Sequence, residues 1–158
     1  MDVQPRSIPS TSLSPAALWS GYAGLAPFAA SLAVLWLAPQ PEWRELALRL
    51  ALAYGAVILT FVGALHWAFA LSGRLPGAAA IVIASITPAV VATAALLLGG
   101  LRGIALLVVG VGLFWLYEHR RCGNALPADY LALRRSLSIG VCALLTLIMF
   151  AADAAGLR

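Results

Sequence analysis

The sequence predicts an all-α membrane protein, a bundle of five transmembrane helices with short loops. Three observations carry this. Hydrophobic side chains make up 63% of the 158 residues, mean hydropathy is +0.97, and the apolar residues fall into five runs separated by short polar or Pro/Gly-rich connections. Such a composition lies outside the range of soluble globular chains, so a bilayer is the solvent for most of this one. Each crossing takes about 20 apolar residues, so the length admits five or six crossings and no soluble domain besides.

Residues 1–14 read as a short disordered tail, with Asp2, Arg6 and two prolines among the first dozen. A secretory signal would place a basic patch directly before a short apolar core, so no cleavage is expected. The first run, 15–38, opens on Ser14-Pro15, a capping residue followed by a first-turn proline. Pro27 falls in its middle, where the missing backbone donor predicts a kink and a carbonyl to be satisfied by a neighbour.

The second helix is expected over 41–72, with Trp43 at the membrane interface and Glu45 and Arg49 four residues apart in the favourable order. The third, 78–98, follows a tight connection over residues 73–77 and carries Thr87-Pro88 near its centre. The fourth run, 104–118, is short enough that Gly103 and the loop before it are expected to dip into the membrane. A polar connection from His119 to Leu126 follows. Pro127, with Asp129 two residues on, starts a fifth helix over 127–155, its carboxylate facing the positive end of the helix dipole.

The net charge of +4 comes from ten arginines against six acids. Arginines at the ends of apolar runs set topology and meet anionic head groups, so the partner they imply is the lipid bilayer and no nucleic acid. Alternating the loops puts Arg6, Arg74, Arg120, Arg121, Arg134 and Arg135 on the side of the N-terminus and Arg44, Arg49, Arg102 and Arg158 opposite. The expected orientation is N-terminus cytoplasmic and C-terminus periplasmic. Cys122 in a loop and Cys142 in an apolar run form no CxxC pair, so neither a disulfide framework nor a metal site is indicated.

Ionisable residues inside a membrane are the informative ones, because each is costly unless paired or hydrated. Only His66 lies well within an apolar run. On an ideal helix it falls within about 20° of Gly55 and Leu59, about 40° from Val62 and about 60° from Gly63. It therefore shares a small-residue face suited to helix packing. The end of the bundle that holds His66 also gathers Trp19, Tyr22, Trp115, Tyr117, Glu118, Asp129 and Tyr130.

Aromatic belts and arginines gather at every membrane interface, so an ordinary interface accounts for that convergence. The functional alternative is a pocket in which His66 faces a ligand or Glu118, with Arg134 or Arg135 holding an anionic group. A histidine bonded to a carbonyl freed by Pro27 or Pro88 would give the same sequence. Asp153 is expected to pair with Arg158 or Arg102. A membrane haem would need two axial histidines at depth, and a hydrolase would need a nucleophile motif. Neither is present, and no cofactor or enzymatic activity is expected.

Residues 54–67, Tyr-Gly-Ala-Val-Ile-Leu-Thr-Phe-Val-Gly-Ala-Leu-His-Trp, resemble the signature of a bacterial and mitochondrial membrane family, domain of unknown function 3429, whose animal member is transmembrane protein 69. A second stretch, Leu126-Pro127 through Tyr130 to Leu133-Arg134, is similar to another segment of that family. There the family's Trp is absent; Glu118 stands for an Asp, and Ala68 for a Gly. The resemblance covers roughly 17–155. It implies a five-helix protein of a bacterial cytoplasmic membrane and no particular activity, and it marks Gly55, Gly63, His66 and Trp67 as the characteristic site.

The functional expectation is a noncatalytic accessory or assembly subunit, or a self-associating scaffold, with a membrane-protein partner or a second copy. The alternative is a small-ligand or lipid binder whose pocket involves Tyr54, Gly55, Gly63, His66, Trp67, Glu118, Tyr130 and Arg134. A transporter ranks third.

Overall fold

Ser14 and Pro15 start the first helix as the sequence predicts. In the computed structural model, which describes residues 13–73, 78–123 and 126–157, the Ser14 hydroxyl accepts from the Ala17 amide at 3.2 Å. The crossing expected as one kinked helix is two helices, α1 (Pro15–Ala23) and α2 (Ala26–Leu37). Pro27 has no amide to donate, and its ring crowds the carbonyl one turn back. The chain therefore breaks at Gly24-Leu25, with tight backward bonds from Gly24 to Gly21 at 3.1 Å and from Leu25 to Tyr22 at 2.9 Å. Together the two pieces still make one 23-residue crossing.

The two halves pack differently. The α2 helix buries Phe28, Ser31 and Leu35 at the spacing of one helical face, whereas α1 has no buried residue. The polar connection after α2 is held by Arg44, whose Nε donates to the Ala38 carbonyl at 2.8 Å. Glu45 and Arg49 form the expected pair at 3.1 Å on an exposed face, where such a bridge adds little.

At the centre of the bundle lies α3 (Pro41–Leu71), which packs against α2, α4, α5 and α6. Half of its most apolar window is buried, against 28% or less in every other crossing. Small residues recurring on its buried side, Ala47, Ala51, Gly55, Ala56 and Gly63 among them, make this possible. Against α4 (Ala78–Leu98), a Cβ on Gly63 would stand 2.5 Å from the Ser85 carbonyl oxygen and 3.1 Å from the Pro88 ring, so only glycine allows this approach.

The fourth crossing corrects the sequence reading. Expected over 104–118, α5 runs from Gly100 to Cys122. Gly99 and Gly100 both take positive φ, 63° and 49°, so the chain reverses within a two-residue turn and Gly103 is helical, not part of a loop. At the other end Glu118 and Cys122 are buried on one face, which keeps the last turn helical although His119, Arg120 and Arg121 are polar. Those side chains suit the negative end of the helix dipole. His119 and Cys122 are thus helical residues.

The last helix, α6 (Ala128–Ala154), begins beside Pro127 with Asp129 in its first turn, close to the expected bounds. Asp153 and Arg102 are both exposed and form no ion pair among the described residues. The Arg158 alternative lies outside those residues, as do Arg6, Arg74, the connection 74–77 and the tail through residue 12.

The described residues form an all-α fold in which five helical segments are long and apolar enough to cross a membrane. Phe28, Leu35, Leu59, Leu107, Leu145 and Ile148 belong to its main core. A smaller cluster of Ala70, Ile81, Cys122 and Leu126 closes one end. That end, called the near end below, collects the starts of α1, α4 and α6 and the ends of α3 and α5.

Candidate functional site

The α3 face read from the sequence is the buried one: Gly55, Leu59, Val62, Gly63 and His66 all point inward. His66 is wholly enclosed, and its Nδ1 lies 3.0 Å from the Val62 carbonyl oxygen. A carbonyl only accepts, so Nδ1 carries the hydrogen and donates it. The carbonyl belongs to α3 itself and is not one freed by Pro27 or Pro88. Phe114 of α5 stands edge-on to the imidazole with ring centroids 4.9 Å apart, which fixes the ring plane.

Four charged or polar side chains, Glu118, Tyr130, Arg134 and Ser138, form a chain of contacts that leads away from His66. Its Nε2 lies 3.3 Å from Glu118 Oε1. Glu118, 1% exposed, has Arg134 Nε 3.2 Å from its Oε2. Tyr130 donates its hydroxyl hydrogen to Oε1 at 3.3 Å, and Arg134 Nη1 donates to Ser138 Oγ at 3.3 Å. The cluster joins α3, α5 and α6. Phe69 covers it by packing edge-on to Tyr130 at 5.7 Å.

The two charge contacts are close but not aligned as hydrogen bonds. His66 Nε2, Glu118 Oε2 and Arg134 Nε are buried without an aligned hydrogen-bond partner. In a low-dielectric interior this arrangement keeps the electrostatic attraction while leaving directional capacity unused. The site can therefore take a further polar group beside Arg134.

Of the sequence-selected residues, His66, Glu118, Tyr130 and Arg134 come together. Tyr54 lies deeper, where its hydroxyl donates to the Gly24 carbonyl at 3.1 Å across the α1–α2 break. This is the neighbour expected to satisfy a carbonyl near Pro27. Gly55 and Gly63 are packing positions: a Cβ on Gly55 would meet Leu107 at 2.8 Å and Phe28 at 3.6 Å. Trp67 is 51% exposed and faces away from the cluster. Arg135 is exposed, so Arg134 alone of that pair enters the bundle. Sequence reasoning missed Phe114 and Ser138. Ser138 lies one turn beyond Arg134, and that spacing was the available signal.

Beside the cluster, a cavity of about 490 Å³ opens between α1, α3, α5 and α6. Its wall is mainly aliphatic, with Leu25, Ile58, Val62, Leu133 and Leu137 prominent. Tyr130 stands at its near end, Arg134 and Ser138 lie one and two turns deeper on α6, and Tyr54 and Gly24 line its far part. It follows α3 from Tyr54 to Leu65 and α6 from Tyr130 to Val141, a length of about 16 Å at the helical rise.

The chain belongs to the family described as Protein of unknown function (DUF3429), whose profile matches residues 13–150. This bears out the family resemblance read from residues 54–67. No curated protein and no solved structure matches the chain.

Proposed function

From that family membership as premise, we propose that this is a noncatalytic membrane protein that binds a lipid-like ligand, one hydrocarbon chain of which fills the cavity between α1, α3, α5 and α6. The observation that carries the reading is the form of the cavity. Its length of about 16 Å matches one leaflet, half of a hydrocarbon core about 30 Å thick. The charged residue of its lining, Arg134, lies in the near half, where a head group would lie, and aliphatic side chains line most of the wall.

This reading ranks ligand binding above the accessory or scaffold role, because self-association has no use for an internal apolar cavity of about 490 Å³. The enclosing α1 supports it too. That helix buries no residue of its own and is the wall most easily displaced to admit a chain from the bilayer. In a bacterial inner membrane with the N-terminus cytoplasmic, the near end faces the cytoplasm and the ligand enters from the inner leaflet.

Native mass spectrometry of protein purified in mild detergent tests it. A lipid-class ligand is expected to co-purify and to be lost from Ala17→Phe, which fills the cavity from the loosely packed α1 wall. Equal occupancy in wild type and Ala17→Phe, or an empty wild-type protein across native preparations, would overturn the reading.

A further inference from the structure

We propose that the cavity selects a single-chain amphiphile with a monoanionic carboxylate head, a long-chain fatty acid, and that Arg134 holds the head. This rests on the ligand-binding reading above and adds the charge and chain number of the ligand.

The charge follows from hydrogen-bond roles. His66 Nδ1 already gives its hydrogen to the Val62 carbonyl at 3.0 Å. A neutral imidazole of that tautomer would turn the bare lone pair of Nε2 toward Glu118 Oε1, 3.3 Å away. Two acceptors at that distance repel even without hydrogen-bond alignment, so one of the two groups carries a proton, the imidazole or the carboxyl. In either position the His66–Glu118 pair sums to zero.

Arg134 then remains as a single positive charge, with a side chain only 12% exposed. No other facing group among the described residues cancels it. From α6 comes the neutral Tyr130 hydroxyl, and from α5, besides Glu118, the buried Cys122 thiol. The α4 helix contains no titratable residue over Ala78–Leu98, and Asp129 is exposed at the start of α6. A net charge buried at this depth is costly unless a counter-charge joins it.

The place for that counter-charge is the cavity. Arg134 points Nε at Glu118 and Nη1 at Ser138, and its Nη2 makes no hydrogen bond among the described residues. Arg134 and Ser138 both line the cavity, so a carboxylate seated there would meet the guanidinium in a charge-assisted contact. The cavity holds about 490 Å³ between four helices. A single narrow cavity of this volume favours one hydrocarbon chain, a fatty acid, over the two of a diacyl phospholipid.

Binding of palmitate and of its uncharged analogue cetyl alcohol to the full chain in a nonionic detergent separates these points. Palmitate is expected to bind more tightly by roughly tenfold to a hundredfold, the range of one charge-assisted hydrogen bond. The preference should vanish in Arg134→Gln. It should vanish also in His66→Gln, where Glu118 and Arg134 cancel each other, while cetyl alcohol still binds. Should either variant fail to fold, the other and the wild-type comparison decide.

Equal affinities in the wild type, or a palmitate preference that survives both substitutions, would overturn the assignment of charge while leaving the ligand-binding reading intact. A co-purifying phospholipid that palmitate does not displace would overturn the single-chain assignment. Absence of binding by either probe, with no co-purifying ligand, would remove both readings together.

Discussion

The hydroxyl of Tyr54 lies 3.1 Å from the carbonyl oxygen of Gly24, so the middle of α3 closes the gap where the first crossing is broken. The same ring packs edge-on against Phe28 at 5.1 Å, tying the start of α2 to the core. Tyr54→Phe keeps the packing and removes the bond. It is expected to lower stability by about 1 kcal/mol, the net worth of one such hydrogen bond. Tyr54→Ala should cost more, and thermal unfolding in detergent would rank the two.

Gly63 and Gly112 make a matched pair of substitutions. Alanine at Gly63 would press its Cβ into the Ser85 carbonyl and the Pro88 ring, whereas a Cβ at Gly112 meets nothing within 4 Å. Gly63→Ala is expected to destabilise by about 1–3 kcal/mol through forced separation of α3 and α4. Gly112→Ala should be neutral or slightly stabilising, since alanine is the better helix former. Equal effects from both, in the same unfolding assay, would count against the close approach at Gly63.

Glu118→Ala leaves Arg134 without its carboxylate and His66 without its partner inside the protein. Removal of one member of a buried pair typically costs about 3–5 kcal/mol, and a loss of that size should appear as poor expression or a much lower unfolding temperature. Replacing the three groups together, as His66→Phe, Glu118→Leu and Arg134→Met, should recover most of it, because no unpaired charge is left. A triple variant as unstable as Glu118→Ala would show that packing, and not charge, sets the cost.

Orientation has its own test. A phosphatase reporter fused after Arg158 should be active in the periplasm, and a fusion after Gly99 should be active there as well, since both follow crossings that end opposite the near end. The arginine excess behind this expectation is narrower than the bare sequence suggests. Arg134 counted as a surface charge in it and is enclosed with Glu118. A cytoplasmic readout at both positions would invert the topology.

Much of the architecture was legible because crossing a bilayer constrains composition more than detail. The His66 face was legible too, since the 100° step of a helix fixes which small residues lie beneath it. The same step on α6 groups Tyr130, Arg134, Ser138 and Val141 and turns Arg135 away, so the helix periodicity itself distinguishes the two arginines. The length of α5 was hidden because hydropathy fades at His119 while burial of Glu118 and Cys122 continues on the other face. A pocket at this end was an alternative reading of the sequence, but its extent was beyond reach, being a property of four helices and of none singly. Trp67, conspicuous in the sequence pattern, faces outward for the same geometrical reason that His66 faces in.

Glu118 and Arg134 belong to consecutive crossings, α5 and α6, joined by a short connection. Each alone would burden its helix with a charge as that helix leaves the insertion machinery for lipid. As neighbours in one hairpin they can neutralise each other before α3 brings His66 to them. The pair that ends as part of a binding site therefore makes α5 and α6 a unit of biogenesis, two spans best released into the membrane together.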